Sequence, residues 1–279
     1  MTNIGRALVV GLSVAGPPLA AQTLPPRSGD YLFVTNALDA RALWVNPAGL
    51  NLVPQASVLA EFTLRRTQSD IRLEQYTVGV HSRGLSLGYQ RNRPLGASAV
   101  GVLRAGLAIP LRHGAIGFSG ARYSQDSTSS KEADFGIVFL PATSIQLGAV
   151  VRHIGRPTVE GVELPITAVA GFQWSAARVQ FSSEVLATEE RSALGTPTSG
   201  YDFTYRVGTR IVLSTGFPLI TVAAANLGST GRIRGFSVGL AVGLARQVTS
   251  VASAFTRDNN PVFEQFSATF VATNSLLSR

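Results

Sequence analysis

Eleven charged residues stand singly inside apolar stretches, and their spacing is what gives them a chemistry. They are Arg65, Arg72, Arg104, Arg152, Arg178, Arg206 and Arg210, with Glu61, Glu74, Asp134 and Glu184. Each has an apolar residue beside it, so a chain with a two-residue period would gather the charges on one face and leave Leu, Val, Ile and Phe on the other. An interior built on that face leans positive and favours anionic head groups or anionic solutes. The same set also reads as Arg–carboxylate pairs that hold a narrow interior closed, because an unpaired guanidinium in a confined space is costly. The sequence leaves both readings open.

Other chemistry finds little footing. The three histidines are His81, His113 and His153. An acyl-transfer site needs one of them beside a nucleophile and an orienting polar group. His81 precedes Ser82, but neighbours along a strand point to opposite faces. All three fall at expected strand ends or turns, where a solvated imidazole is the ordinary reading. There is no catalytic triad, no metal-ligand constellation and no cofactor motif, and the glycines of 235–243 are strand glycines rather than a phosphate loop. The sequence therefore argues against an enzyme. The formal charge of +8 does not indicate nucleic acid either, since its arginines are scattered through apolar strands without a basic run or interleaved aromatics.

The elements that must position these charges follow from composition. Of 279 residues 14% are charged, well below the roughly 25% of soluble domains, and there is no Cys. Beyond the N-terminus no apolar run reaches the roughly 18 residues of a spanning helix. A membrane chain without such helices satisfies its backbone by closing a sheet on itself. The predicted fold class is all-β, a transmembrane antiparallel up-and-down barrel of about fourteen strands.

Alternation marks those strands at 56–66, 71–81, 85–92, 100–109, 115–124, 134–140, 145–153, 166–174, 178–186, 201–213, 219–225, 236–244, 248–255 and 263–272. In the fourth, Leu103, Ala105, Leu107 and Ile109 oppose Arg104, Gly106 and Ala108. In the tenth, Phe203, Tyr205, Val207 and Ile211 oppose Thr204, Arg206, Gly208 and Arg210. An Arg on the lipid face at mid-membrane would cost roughly 2–4 kcal/mol, so the arginines belong in the lumen. Odd-to-even links such as 125–133, 154–165 and 187–200 are long and polar, whereas even-to-odd links such as 82–84 and 175–177 are tight. Long outside and short inside is the asymmetry of outer-membrane barrels, with both termini periplasmic.

The flanks carry separate signals. Arg6, the apolar run Ala7–Gly16, Pro17, Pro18 and the small pair Ala20 and Ala21 make the three-part pattern of a secretory signal peptide, with cleavage expected after Ala21. The expected organisation is a signal peptide over 1–21, a segment without strand rhythm over 22–55, the barrel over 56–272 and a tail over 273–279. Phe266 and Phe270 share one face of the last strand.

Within the segment over 22–55 lies Asn46-Pro47-Ala48-Gly49-Leu50, preceded by Leu43, Trp44 and Val45. Asn before Pro favours extended geometry and turn initiation, while Ala48 and Gly49 permit close backbone approach. Its apolar residues suit insertion into the barrel mouth better than a solvated arm. This motif, followed by a barrel, resembles the N-terminal signature of the FadL-type outer-membrane transporters of hydrophobic compounds, and equally that of the related PorV and PorQ family. The resemblance implies fourteen strands and a hatch folded into the periplasmic end. The short extracellular links depart from the FadL type, whose long insertions build an external ligand groove. Two functions are implied. One is a passive channel for hydrophobic or amphipathic anionic compounds, with lumen arginines holding the polar end. The other is a non-conducting barrel that binds a secretion-system or outer-membrane protein partner. Outer-membrane lipid surrounds the barrel in both.

Overall fold

The computed structural model describes residues 27–53, 55–66, 70–93, 98–159, 161–191, 197–214, 219–242, 246–257 and 260–274. The expected signal peptide lies outside the described residues, as do the links over 67–69, 94–97, 192–196 and 258–259.

Fourteen strands close into one antiparallel barrel. In chain order they are β1 (Ala56–Arg66), β2 (Ile71–Ser82), β3 (Leu85–Asn92), β4 (Val100–Leu111), β5 (Gly114–Gln125), β6 (Thr128–Ala142) and β7 (Ile145–Ile154). After a small hairpin, β8 (Thr158–Val159) and β9 (Val162–Glu163), come β10 (Thr167–Ala176), β11 (Val179–Arg191), β12 (Pro197–Ser214), β13 (Leu219–Gly228), β14 (Ile233–Val242), β15 (Arg246–Arg257) and β16 (Asn260–Asn274). Each strand pairs with its neighbour in order, and β1 pairs with β16 from Ala56↔Asn274 to Arg65↔Gln265, which closes the cylinder. Closure leaves no strand edge to be satisfied in hydrocarbon.

The period-2 assignment of faces holds through the wall. Leu103, Leu107 and Ile109 are exposed on the outside while Arg104 is buried. Phe203, Tyr205 and Ile211 are likewise outside, opposite buried Arg206. Phe266 and Phe270 face outward together. A tilted pair, Phe118 and Phe135 with ring centroids 5.0 Å apart, adds to this apolar belt.

Three departures from the sequence expectation have local causes. The link expected over 125–133 is a hairpin with a two-residue turn at Asp126 and Ser127, because β6 begins at Thr128. Beyond the hydrocarbon the ladder continues without apolar alternation, so polar Thr128–Lys131 reads as loop but pairs as strand. The last strand likewise runs to Asn274, past the expected start of the tail. In β2 a bulge opposite Thr63 and Leu64 turns both Glu74 and Gln75 inward, where strict alternation would separate them.

Two of the tight turns, at Arg83–Gly84 and at Ala177, use left-handed backbone. Arg83 and Gly84 have φ of 49° and 82°, the geometry that matches the twist of two paired strands. By the usual asymmetry these turns mark the periplasmic end. Leu103→Arg, which puts a cation into the lipid-facing belt, should lower folding stability by about 2–4 kcal/mol in a urea titration in lipid vesicles. Ser119→Arg at a lumen-facing position tests the opposite face and should not carry that lipid penalty.

Candidate functional site

The lumen is occupied by the chain's own N-terminal segment. A 3₁₀ turn at Arg27–Asp30, a single helical turn α1 (Ala42–Val45) and a second 3₁₀ turn at Pro47–Asn51 lie within it. Tyr31, Phe33, Val34, Leu43, Val45, Ala48 and Leu50 are buried there.

Asn46 fixes this segment in two directions. Its Oδ1 accepts from Ala48 N at 3.1 Å and so caps the turn that Pro47 begins, where a missing N–H is harmless. Its Nδ2 donates to the carbonyls of Val34 at 2.8 Å, Ile137 at 3.2 Å and Ala149 at 3.4 Å. One side chain thereby ties the segment to itself, to β6 and to β7. Leu50 carries the next tie, since its carbonyl accepts from His81 Nε2. The other ring nitrogen meets Ser57 Oγ at 3.3 Å, and that hydroxyl accepts from Ala40 N at 2.8 Å. His81 is therefore buried and fully engaged rather than solvated as expected, and its neighbour in space is Ser57, not Ser82.

The wall makes room for the segment with glycine. Gly88, Gly106, Gly117, Gly136, Gly148, Gly171 and Gly208, on seven different strands, bring bare backbone to it. A Cβ at Gly117 would overlap Pro47 and Ala48, and one at Gly136 would overlap Asn46. At Gly106 it would lie 2.6 Å from Leu43, at Gly148 2.8 Å from the Val34 carbonyl, and at Gly208 2.6 Å from Phe33. Sequence reasoning missed this stripe. Its signal was a glycine on the lumen side of strand after strand, facing a preceding segment that needs space.

Most of the expected lumen charges are committed to this arrangement. Arg104 pairs with Glu132 and Asp134, and its guanidinium lies 5.3 Å from the Trp44 ring. Glu132, missed by the sequence reading, also accepts from Tyr123 Oη at 2.7 Å and meets His153 Nδ1 at 2.6 Å. A bulge in β7 and a left-handed His153, φ 60°, turn that imidazole inward, so it too is not simply solvated. Arg206 pairs with Glu184 at 3.2 Å, donates to the carbonyls of Gly29 and Leu32, and lies 4.2 Å from the Phe33 ring. Glu184 in turn accepts from Val34 N at 3.0 Å. Arg152 donates to the Val45 carbonyl. Glu61 accepts from Ser28 N at 3.0 Å and Thr269 Oγ1 at 2.9 Å. Arg65 and Glu74 pair at 2.8 Å toward the extracellular rim, where Arg72 donates to the Arg93 carbonyl.

Two arginines behave differently. Arg178 is not in the lumen: with Ala177 it forms the exposed turn between β10 and β11, beyond the reach of strand alternation, and contributes its carbonyl to Val212 N. Arg210 faces inward beside a cavity of about 180 Å³ between residues 31–41 and the wall. Asp39 and Arg41, also on this cavity, pair at 2.6 Å. Burial works against the charge on Asp39, but the adjacent guanidinium holds its carboxyl below the ordinary carboxylate range.

At the extracellular end the β8–β9 link folds inward. Val159 and Leu164 are buried in the same apolar cluster as Val100, Val102 and Tyr123. Thr158 N donates to Ser130 Oγ at 2.8 Å, and Arg156 pairs with Glu189 across the rim.

This architecture has solved counterparts. The CymD monoaromatic hydrocarbon channel is similar with a TM-score of 0.63 and 10% identity, covering 90% of this chain and 97% of that one. The toluene transporter TbuX of Ralstonia pickettii gives 0.64 and 10%, covering 90% and 98%. The fold is that of an outer-membrane β-barrel. A TodX monoaromatic hydrocarbon channel mutant gives 0.53 and 12%, covering 89% and 97%. No family model and no curated protein sequence matches the chain. At these identities the likeness is one of fold, and it lies with channels, giving no support to the PorV and PorQ side of the resemblance.

If the glycine stripe exists to seat the segment, Gly117→Val should expel residues around Pro47 while the barrel still closes. Limited proteolysis of purified barrels should then cut within 40–55 faster than in the wild type, with the gel shift between unboiled and boiled samples retained.

Proposed function

We propose that the protein is a passive FadL-like outer-membrane channel for small hydrophobic compounds, in which the segment over residues 27–53 acts as a hatch. The observation that carries this reading is how the lumen is obstructed. The segment is held to the wall by side-chain hydrogen bonds and joins none of the barrel's strand ladders among the described residues. Such contacts can be exchanged for water one at a time, whereas a strand ladder gives way as a unit. Beside the hatch the wall leaves a cavity instead of packing solid. The solved channels of like fold are described as carrying monoaromatic hydrocarbons or toluene, which agrees with an apolar solute.

In this reading Arg104 and Arg206 hold the hatch and the wall together and do not hold the solute. Their buried carboxylate and carbonyl partners leave them few donors to offer. The test is uptake of dilute toluene by cells with and without the protein. Uptake several-fold faster with the protein supports a channel, and equal uptake overturns it. Asn46→Ala, which removes three donor contacts to carbonyls, should loosen the hatch and raise the uptake rate further while the barrel remains heat-modifiable on a gel.

A further inference from the structure

The cavity beside the hatch has a composition that obstruction alone does not require. It lies between Tyr31–Arg41 and the periplasmic halves of β11, β12, β13 and β15. One wall is apolar, with Tyr31, Phe33 and Val222. Among the polar lining, Asp39 and Arg41 pair with each other, while other groups lack protein partners. Arg210 has no carboxylate partner among the described residues, since the nearby Asp39 is taken by Arg41. Gln180 stands directly opposite Arg210 in the β11–β12 register, and its buried Oε1 accepts no hydrogen bond from the protein. Thr249, 1% exposed on β15, has a hydroxyl with no partner. Buried polar atoms are ordinarily satisfied, so two that are not, Gln180 Oε1 and Thr249 Oγ1, beside a guanidinium without a carboxylate partner, point to something that enters the cavity.

We propose that Arg210, with Gln180 and Thr249, forms a subsite for a small aromatic carboxylate at the periplasmic end of the lumen. The guanidinium offers a planar fork of donors that matches a carboxylate. The Thr249 hydroxyl is a further donor, and Gln180 Oε1 can take a hydroxyl carried by the ring. The aromatic part is argued from the walls and the size. A cavity of roughly 150 Å³ lined by apolar side chains accommodates benzene, and this one is about 180 Å³ with Tyr31 and Phe33 in its lining. A fully hydrated inorganic anion would gain nothing from those rings. The subsite rests on the channel reading only for the ligand's route to it, and it lies beside residues 31–41 at the periplasmic end of the lumen.

Benzoate binding to the purified full-length barrel in non-ionic detergent, measured by calorimetry, tests the subsite, with toluene uptake by cells measured in parallel. The wild type should bind benzoate. Arg210→Gln should weaken that binding about tenfold or more, the loss expected for a hydrogen bond to a charged group, and leave toluene uptake unchanged. Arg210→Lys should recover part of the affinity. Equal benzoate binding by wild type and Arg210→Gln, or none by the wild type, overturns the subsite whatever toluene does. Absent toluene uptake with Arg210-dependent benzoate binding keeps the subsite and sinks the hydrocarbon channel. Should Arg210→Gln fail to close into a heat-modifiable barrel, Thr249→Val removes a donor at nearly constant volume and must weaken benzoate binding for the subsite to stand.

Discussion

A sheet in hydrocarbon cannot leave an edge unpaired, and the β1–β16 ladder from Ala56↔Asn274 to Arg65↔Gln265 is where this chain meets that condition. Nearly everything else is a consequence. Closing fourteen strands creates an interior wide enough to require filling. Because β1 begins at the periplasmic end, the residues just before it are delivered to that opening, and their apolar side chains find cover only by turning in. The buried segment is thus the answer to a void produced by closure.

Filling the void with an irregular segment raises a second problem, since its backbone lacks the regular partners of a strand. The lumen side chains solve it. Glu184 takes the Val34 N–H, Ser57 takes that of Ala40, Arg206 and Arg152 supply donors to the carbonyls of Leu32 and Val45, and His81 does so for Leu50. The glycines serve the same end by another route, because backbone contact at Gly117, Gly136 and Gly148 lets the segment lie close enough for Asn46 to reach the Ile137 and Ala149 carbonyls. Charge and small size are therefore two halves of one design, and each is placed by the inward half of the strand period.

How legible this was depends on which physical signal each feature left in the sequence. Strand number and face were plain, because a lipid-facing side chain must be apolar and its neighbour need not be, so Leu103, Leu107 and Ile109 announce Arg104 as inward. Strand ends were less plain, since Thr128–Lys131 pairs beyond the bilayer where nothing enforces alternation. Bulges leave no compositional mark, which is why the inward turn of both Glu74 and Gln75, and of His153 toward Glu132, needed the structure. The hatch motif was legible as a turn that belongs inside, yet the roles of the arginines were not. Alternation places Arg104, Arg206 and Arg210 alike, and only the positions of Glu132, Glu184 and Asp39 across the fold separate the paired from the unpaired.

That separation bears on how the lumen would open under the proposed function. Buried ion pairs contribute little net stability compared with apolar packing, because desolvation offsets most of their attraction. What they contribute is geometry, and an Arg–carboxylate pair against the barrel wall survives if the hatch withdraws. Arg104 keeps Glu132 and Asp134 whether or not Trp44 lies over it, and Arg206 keeps Glu184 after releasing the Gly29 and Leu32 carbonyls. Arg104 and Arg206 would thus stay neutralised by wall residues in the open state of the proposed channel as well as the closed one, and water entering around them would replace only hydrogen bonds. A hatch held instead by ion pairs across the gap would strand uncompensated charge on both sides as it moved. The pair of Asp39 with Arg41 within the segment obeys the same rule, since both partners would travel together.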